Sequence, residues 1–279
     1  MLHVDAPDQA YEFSDVPTDR RVALRLLWLL DDPRAPLDEI SRVIWADPAL
    51  TARVLALANT RHFGAGRGVT TLPRAVSLLG PQTVRSLAST AVLHLFSAQC
   101  AELPDEFWLH AVTAAVAAAH VAGSLPADRA EAFTAALLHD FGEQLLRDHD
   151  PQRFDEMARA VADEPLEARL AIERRVFGID HASLGAQVLS RQGLPSAITS
   201  AILEHHLANA GASPLARIVR VADCIAKMVD GDSRTDLDAT LREVGITATG
   251  DRLIAQAESD RNGLLRFVSD FVAPSAEVR

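Results

Sequence analysis

Histidines and carboxylates recur along this chain in an order that suggests a single centre: Glu106 and His110, the adjacent pair His139-Asp140, His181, the pair His205-His206, and finally Asp223. Cys100 and Cys224 are not among them, so the donors are imidazole nitrogen and carboxylate oxygen. That set suits a first-row divalent ion such as Fe, Mn, Zn or Ni better than a thiolate-based structural zinc. Nearly all of these residues interrupt apolar, Ala- and Leu-rich stretches, where an ionisable group without a partner is costly. If the stretches are helices that bundle, the donors can converge on one metal-binding cavity.

Each position also has a plainer explanation. Glu106 and His110 are four apart and share a helix face, but an acid in a first turn is favoured by the helix dipole alone. His110, between Leu109 and Ala111, can simply hydrogen-bond a carbonyl. His139-Asp140 follows Ala135-Ala136-Leu137-Leu138 and precedes Phe141-Gly142, an apolar setting that makes two adjacent polar groups informative. One carboxylate there can bridge two cations about 3.5–4 Å apart, and Gly142 lets backbone approach closely. His181 follows a candidate N-cap, Asp180, and reads equally as a solvated first-turn histidine. His205-His206 ends a helix, where a cationic ring suits the dipole. Asp223 falls in the stripe Arg220, Asp223, Lys227, Asp230, the pattern of a solvated ion-pair face. It is their joint occurrence that favours a metal centre.

The elements that must position these groups read as helices. Aromatic residues are 5% of the chain, Ala and Leu dominate, and alternating β-branched runs are missing. Val22, Leu26 and Leu29-Leu30 stripe a first helix, and Leu37, Ile40, Val43 and Ile44 a second. Asp47-Pro48 caps and opens a third. Arg61 to Thr70 is a glycine-bearing loop, and a helix after Pro73 stops at Gly80 before Pro81 restarts the chain. Further helices are expected at 105–122, 127–147, 151–162, 165–177, 181–191, 195–206 and 214–229, with a terminal pair after the Asp-rich bridge 230–238. The expected division is an N-terminal segment 1–16, a helical subdomain 17–100 without a ligand cluster, a metal-binding helical subdomain 104–230, and C-terminal helices 236–279.

Composition bounds the rest. The 279 residues are 48% hydrophobic and carry a net charge of −11, against a broad nucleic-acid footprint. The two distant cysteines read as reduced thiols. No signal-peptide pattern and no apolar stretch of membrane-spanning length is found, so the expected location is the cytoplasm, with no membrane partner.

Several motifs together carry a family resemblance. They are Asp47-Pro48-Ala49-Leu50 leading to Leu57-Ala58-Asn59, Ala75-Val76-Ser77-Leu78-Leu79-Gly80, Trp108-Leu109-His110 and Leu137-Leu138-His139-Asp140-Phe141-Gly142. Phe177-Gly178-Ile179-Asp180-His181 with Gly185-Ala186, and Leu194-Pro195 leading to His205-His206, complete them. Over about residues 17–230 the chain resembles the HDOD proteins, the HD-related output domains of bacterial signalling, within the HD superfamily of metal-dependent phosphohydrolases. The resemblance implies an all-α, HD-like bundle with an N-terminal helical subdomain and a regulatory role through signalling protein partners. Its ligand positions are filled as in the HD-GYP cyclic-dinucleotide phosphodiesterases. It departs from them at Glu143, where those enzymes have a lysine three residues after the aspartate, and it lacks a GYP tripeptide.

The expectation is therefore a regulatory domain holding one or two divalent transition metals at His110, His139, Asp140, His181, His205, His206 and Asp223, with Glu106 as a further candidate. The alternative is an active phosphohydrolase acting on a phosphoester or nucleotide, with His139 and Asp140 catalytic and a metal-activated water as nucleophile. A third reading is a metal-free nucleotide-binding module using the same cavity. An acidic Glu143 facing a phosphate argues against turnover of cyclic dinucleotides.

Overall fold

The computed structural model describes residues 20–32, 34–60, 63, 68–95, 105–161, 164–207, 211–232 and 236–269. The expected N-terminal segment 1–16, most of the glycine-bearing loop, Cys100 and Pro104 lie outside the described residues. Among those described, every regular element is helical, so the all-α expectation holds. The helices are α1 (Arg20–Leu29), α2 (Leu37–Trp45), α3 (Pro48–Ala58), α4 (Leu72–Leu95), α5 (Asp105–Val121), α6 (Arg129–Leu137) and α7 (Phe141–His149). They continue with α8 (Pro151–Ala160), α9 (Leu166–Phe177), α10 (His181–Arg191), α11 (Ser196–Glu204), α12 (Pro214–Val229), α13 (Leu237–Val244) and α14 (Gly250–Ser269).

Local chemistry explains several boundaries. Asp47 caps α3 by accepting from the Leu50 amide at 2.6 Å, with Pro48 in the first turn. Asp180 caps α10 through the Ser183 amide at 2.8 Å, and Gly178 ends α9 at φ +80°. In α4, Gly80 at φ +75° followed by Pro81 kinks the element where the sequence predicts a stop and restart.

One expected helix is wrong. Residues 127–147 do not form a single helix: α6 ends at Leu137, residues 138–140 turn, and α7 begins at Phe141. Gly142, just past the break, packs backbone to backbone on α10, and the consequence falls on the two side chains at the break. Adjacent residues on a continuous helix diverge by about 100°, so His139 and Asp140 could not both face one cavity. Breaking the ladder turns both inward.

Helices α1 to α4 pack on one another, with α3 and α2 against α4. Helix α5 is central to the remainder, in contact with α6, α12 and α14, while α10 packs on α7 and α11. One continuous cluster of buried apolar residues runs from Val22 to Ala257. Trp108 on α5 ties the two ends of the bundle by donating its indole N–H to the Ala46 carbonyl. The sequence expectation about spanning length needs correcting. Glu106–Ser124 is long and apolar enough to cross a bilayer by length and composition. Most of that stretch is instead buried against neighbouring helices, the position of a core helix.

Candidate metal centre

The glycine pair of α7 and α10 sets the geometry. A Cβ on Gly142 would lie 1.9 Å from the His181 carbonyl oxygen, and one on Gly185 3.0 Å from the Gly142 nitrogen. Only hydrogen at both positions lets the helix starting at Phe141 lie backbone to backbone on the helix starting at His181. That contact brings His181 beside Asp140.

His139 and His205 are placed by one device used twice. Each follows a helix C-terminus and donates its Nδ1 hydrogen to the carbonyl three residues back, His139 to Ala136 and His205 to Ile202, both at 2.6 Å. The bond fixes the tautomer. The favourable position of a histidine at a helix end is thus the means by which its Nε2 is aimed. His110 Nδ1 bonds Asp230 at 2.8 Å, and His181 Nδ1 bonds Glu173 at 2.7 Å. All four rings therefore offer Nε2 to the interior.

Two groups of donors result, and Asp140 belongs to both. His110, His139, Asp140 and Asp223 form one; Asp140, His181, His205 and His206 form the other, each with its ligand atoms within 4.8 Å of one another. The Asp140 oxygens divide between them. Oδ2 lies 3.1 Å from His139 Nε2 and 3.6 Å from His110 Nε2, while Oδ1 lies 3.5 Å from His181 Nε2 and 3.7 Å from His205 Nε2. Asp223 Oδ1 stands 3.3 Å from His110 Nε2, and His181 Nε2 is 2.8 Å from His206 Nε2. Donors bound to one ion at about 2.1 Å lie roughly 3.0–3.4 Å apart, so these spacings suit coordination. The Nε2 atoms of His110, His139 and His205 and Oδ1 of Asp223 are buried without a hydrogen-bond partner. Buried polar atoms are rarely left so, and here they converge.

Electrostatics follow the same division. Burial works against the charged form of His139, but Asp140 and Asp223 overcome it and hold the ring up to about 10. Burial likewise opposes His110, and the carboxylates of Asp223, Asp230 and Asp140 close around it raise it to about 9. His206 is pushed well below the ordinary histidine value by burial and then by His205 and His181. Asp140 and Asp223 are held well below the usual carboxylate range despite burial, the first by His139 and the second by Lys227. A divalent cation could take over the role these protons play between the carboxylates.

Asp223 does not sit on a solvated face, although Asp230 of the same stripe is exposed. Asp223 is buried and bonds Lys227 at 2.7 Å, Asp230 bonds His110, and Arg220 donates to the His206 carbonyl at 3.0 Å. His181 is likewise buried, not a solvated first-turn histidine. Glu106 is exposed and belongs to neither four-residue group, although it lines the adjoining cavity.

That cavity, of about 310 Å³, opens on Asp140 and His110 and is also bordered by Glu143, Arg147, Arg169 and Lys227. Glu143 is not a bare anion: its carboxylate accepts from the Arg169 guanidinium, which also donates to Glu173 at 3.1 Å. Glu143 and then Glu173 raise the Arg169 pKa. The sequence reading missed Arg169, Glu173 and Asp230. Their one clue was that each inward-facing histidine requires an acceptor for its other nitrogen.

Known proteins place this architecture. The chain is 28% identical to the MmoQ response regulator of Methylococcus capsulatus str. Bath, with a TM-score of 0.72 over 86% of this chain and 98% of that one. It shares its fold, at 17% identity and a TM-score of 0.69, with a virulence factor of Campylobacter jejuni over 95% of this chain and 99% of that one. It is 26% identical to ribonuclease Y of Chloroflexus aurantiacus over 86% of this chain and 39% of that protein. The chain spans less than half the length of the curated relatives it matches. The HDOD domain family matches residues 16–208, and the chain belongs to that family.

Proposed function

We propose that this chain is a bacterial signal-transduction module of the HDOD family that retains a dinuclear HD-type site. One ion would be held by His110, His139, Asp140 and Asp223, and the other by Asp140, His181, His205 and His206, with Asp140 common to both sets. The observation that supports this most is the division of the two Asp140 oxygens between separate histidine sets. Fe, Mn, Zn and Ni all suit the donors, and Glu106 on the cavity rim is a further candidate ligand.

The likeness to a response regulator favours output through a signalling protein partner. Helices α1 to α4 carry no metal-binding group among the described residues and suit that contact. The division into an N-terminal helical subdomain over 17–100 and a metal-binding one over 104–230 belongs to the same proposal, as does a cytoplasmic setting.

A phosphohydrolase is the second reading, and one observation favours it. Arg169 neutralises Glu143, and Arg147 and Lys227 border the same cavity, so the repulsion expected of a phosphate is offset. In that reading Asp140 and the histidines hold the ions, Lys227 keeps Asp223 ionised, and the cavity admits the ligand. Two bound ions would supply Lewis acidity toward a phosphoryl oxygen.

Metal analysis of the purified protein is the test. The expected result is two equivalents, one of them lost in His139→Ala and both in Asp140→Ala. Stoichiometric metal persisting in the double variant would put the site elsewhere.

A further inference from the structure

Behind His181 stands a carboxylate that the proposed coordination does not use. Glu173 is 0% exposed, as buried as any acidic residue among those described. Its Oε2 accepts from both the amide and the Nδ1 of His181, at 2.9 and 2.7 Å, and its Oε1 accepts from Arg169 Nε at 3.1 Å. Every lone-pair direction it uses points to one histidine or to the cation that neutralises it. The opposite nitrogen of that histidine is the atom facing Asp140 and His206.

We infer that Glu173 is a positioning residue for one ion of the centre: it fixes the His181 ring with hydrogen on Nδ1, so that Nε2 is the donor, and the Arg169 hydrogen bond holds Glu173 in place. This rests on the metal reading above. Carboxylates hydrogen-bonded to ligating imidazoles orient the ring and raise its basicity, and losing one typically costs 10–100-fold in metal affinity.

Geometry also says what Glu173 does not do. Glu143, Glu173 and His181 lie close enough to look like a third metal group. The Arg169 guanidinium bonds both carboxylates, and His181 Nδ1 already donates to Glu173, so this group is a hydrogen-bonded relay. His110 has a parallel arrangement through Asp230, although that carboxylate is one-third exposed. The two halves of the centre are thereby made unequal, one backed by a fully buried carboxylate and the other by a residue at the surface.

Glu173 also accepts the first amide of α10, so a purely structural role as a helix cap is the rival explanation. The experiment separates the two. Zn²⁺ titration of the metal-stripped full chain, read by calorimetry and elemental analysis, should show two ions in the wild type. Glu173→Ala should weaken one ion by 10–100-fold and leave the other unchanged, while Glu173→Gln, whose amide oxygen still accepts, should recover much of the loss. Equal weakening of both ions, or of neither, overturns the assignment. ¹⁵N NMR of the imidazoles in the metal-free protein gives an independent readout. The wild-type His181 must carry a hydrogen-bonded Nδ1 proton that Glu173→Ala releases; an unprotonated Nδ1, or a signal indifferent to the substitution, refutes the inference. A wild type that binds no Zn²⁺ sinks the metal reading, while the NMR result still decides the role of Glu173.

Discussion

At the scale of single residues, the centre is economical because one carboxylate serves two donor sets. Replacing Asp140 should therefore differ in kind from replacing any other donor. Asp140→Ala removes the oxygen facing His110 and His139 together with the one facing His181 and His205. The expected outcome is loss of both ions, whereas Asp223→Ala should lose one and spare the other; elemental analysis of the two variants checks this, and equal losses would contradict a bridging role. Glu143 behaves differently from what its sequence position implies. The resemblance to cyclic-dinucleotide phosphodiesterases suggests that Glu143→Lys would supply a missing cation. In the folded chain the substitution takes the carboxylate partner from Arg169 and sets a like charge beside it. A charge-assisted hydrogen bond contributes about 1.5–3 kcal/mol, so a stability loss of that order should appear in denaturant midpoints, with little hydrolysis of cyclic dinucleotides before or after the change. The residues that converge were legible in the sequence because ionisable groups in apolar stretches stand out. Those that orient were not. Arg169 and Glu173 are four apart on one helix and read as an ordinary surface pair until the fold buries Glu173 against His181.

At the scale of elements, the centre is built from helix ends and breaks. His139 and His205 sit just past C-termini, His181 opens α10, and only His110 and Asp223 project from helix interiors. The caps were legible because they depend on local chemistry: Asp47-Pro48 and Asp180 act within a few residues. The break between α6 and α7 was not, because Ala135-Ala136-Leu137-Leu138 has high helix propensity and nothing in 127–147 signals a stop. Tertiary packing forces it, through the contact of Gly142 with α10. That contact yields a sharp expectation. Gly142→Ala places a methyl where the His181 carbonyl is, and backbone cannot yield as a side-chain tip can. The cost should be at least the roughly 1–3 kcal/mol of overpacking a core. The shift should also carry His181 away from Asp140, so metal uptake falls along with stability. A Gly142→Ala protein with wild-type metal content and midpoint would show that α7 and α10 can separate without consequence.

At the scale of the whole molecule, the donors come from five places in the bundle: α5, the turn between α6 and α7, α10, the end of α11, and α12. An ion at the centre would therefore tie together helices that otherwise meet through apolar contact and buried charge. Binding only to the folded state stabilises by mass action, about 2.7 kcal/mol at a hundredfold excess of ion over its dissociation constant. For a chain of this size each kcal/mol moves the melting temperature by roughly 2–4 °C, so stripping the metal should lower it by about 5–10 °C, and more if both ions leave. Asp140→Ala should melt at one temperature with or without added metal, since the ligand that links the two sets is gone. The metal-free comparison carries a further sign. Asp140 and Asp223 hold His139 up to about 10, and Asp223, Asp230 and Asp140 hold His110 up to about 9, so the metal-free folded chain keeps these charge pairs through neutral pH and loses their stabilisation as pH rises through about 9–10. Removing metal should therefore loosen the bundle without dismantling it, and the melting transition should stay cooperative. A chelated protein whose helical signal collapsed outright would show instead that the buried apolar cluster from Val22 to Ala257 cannot hold these helices by itself.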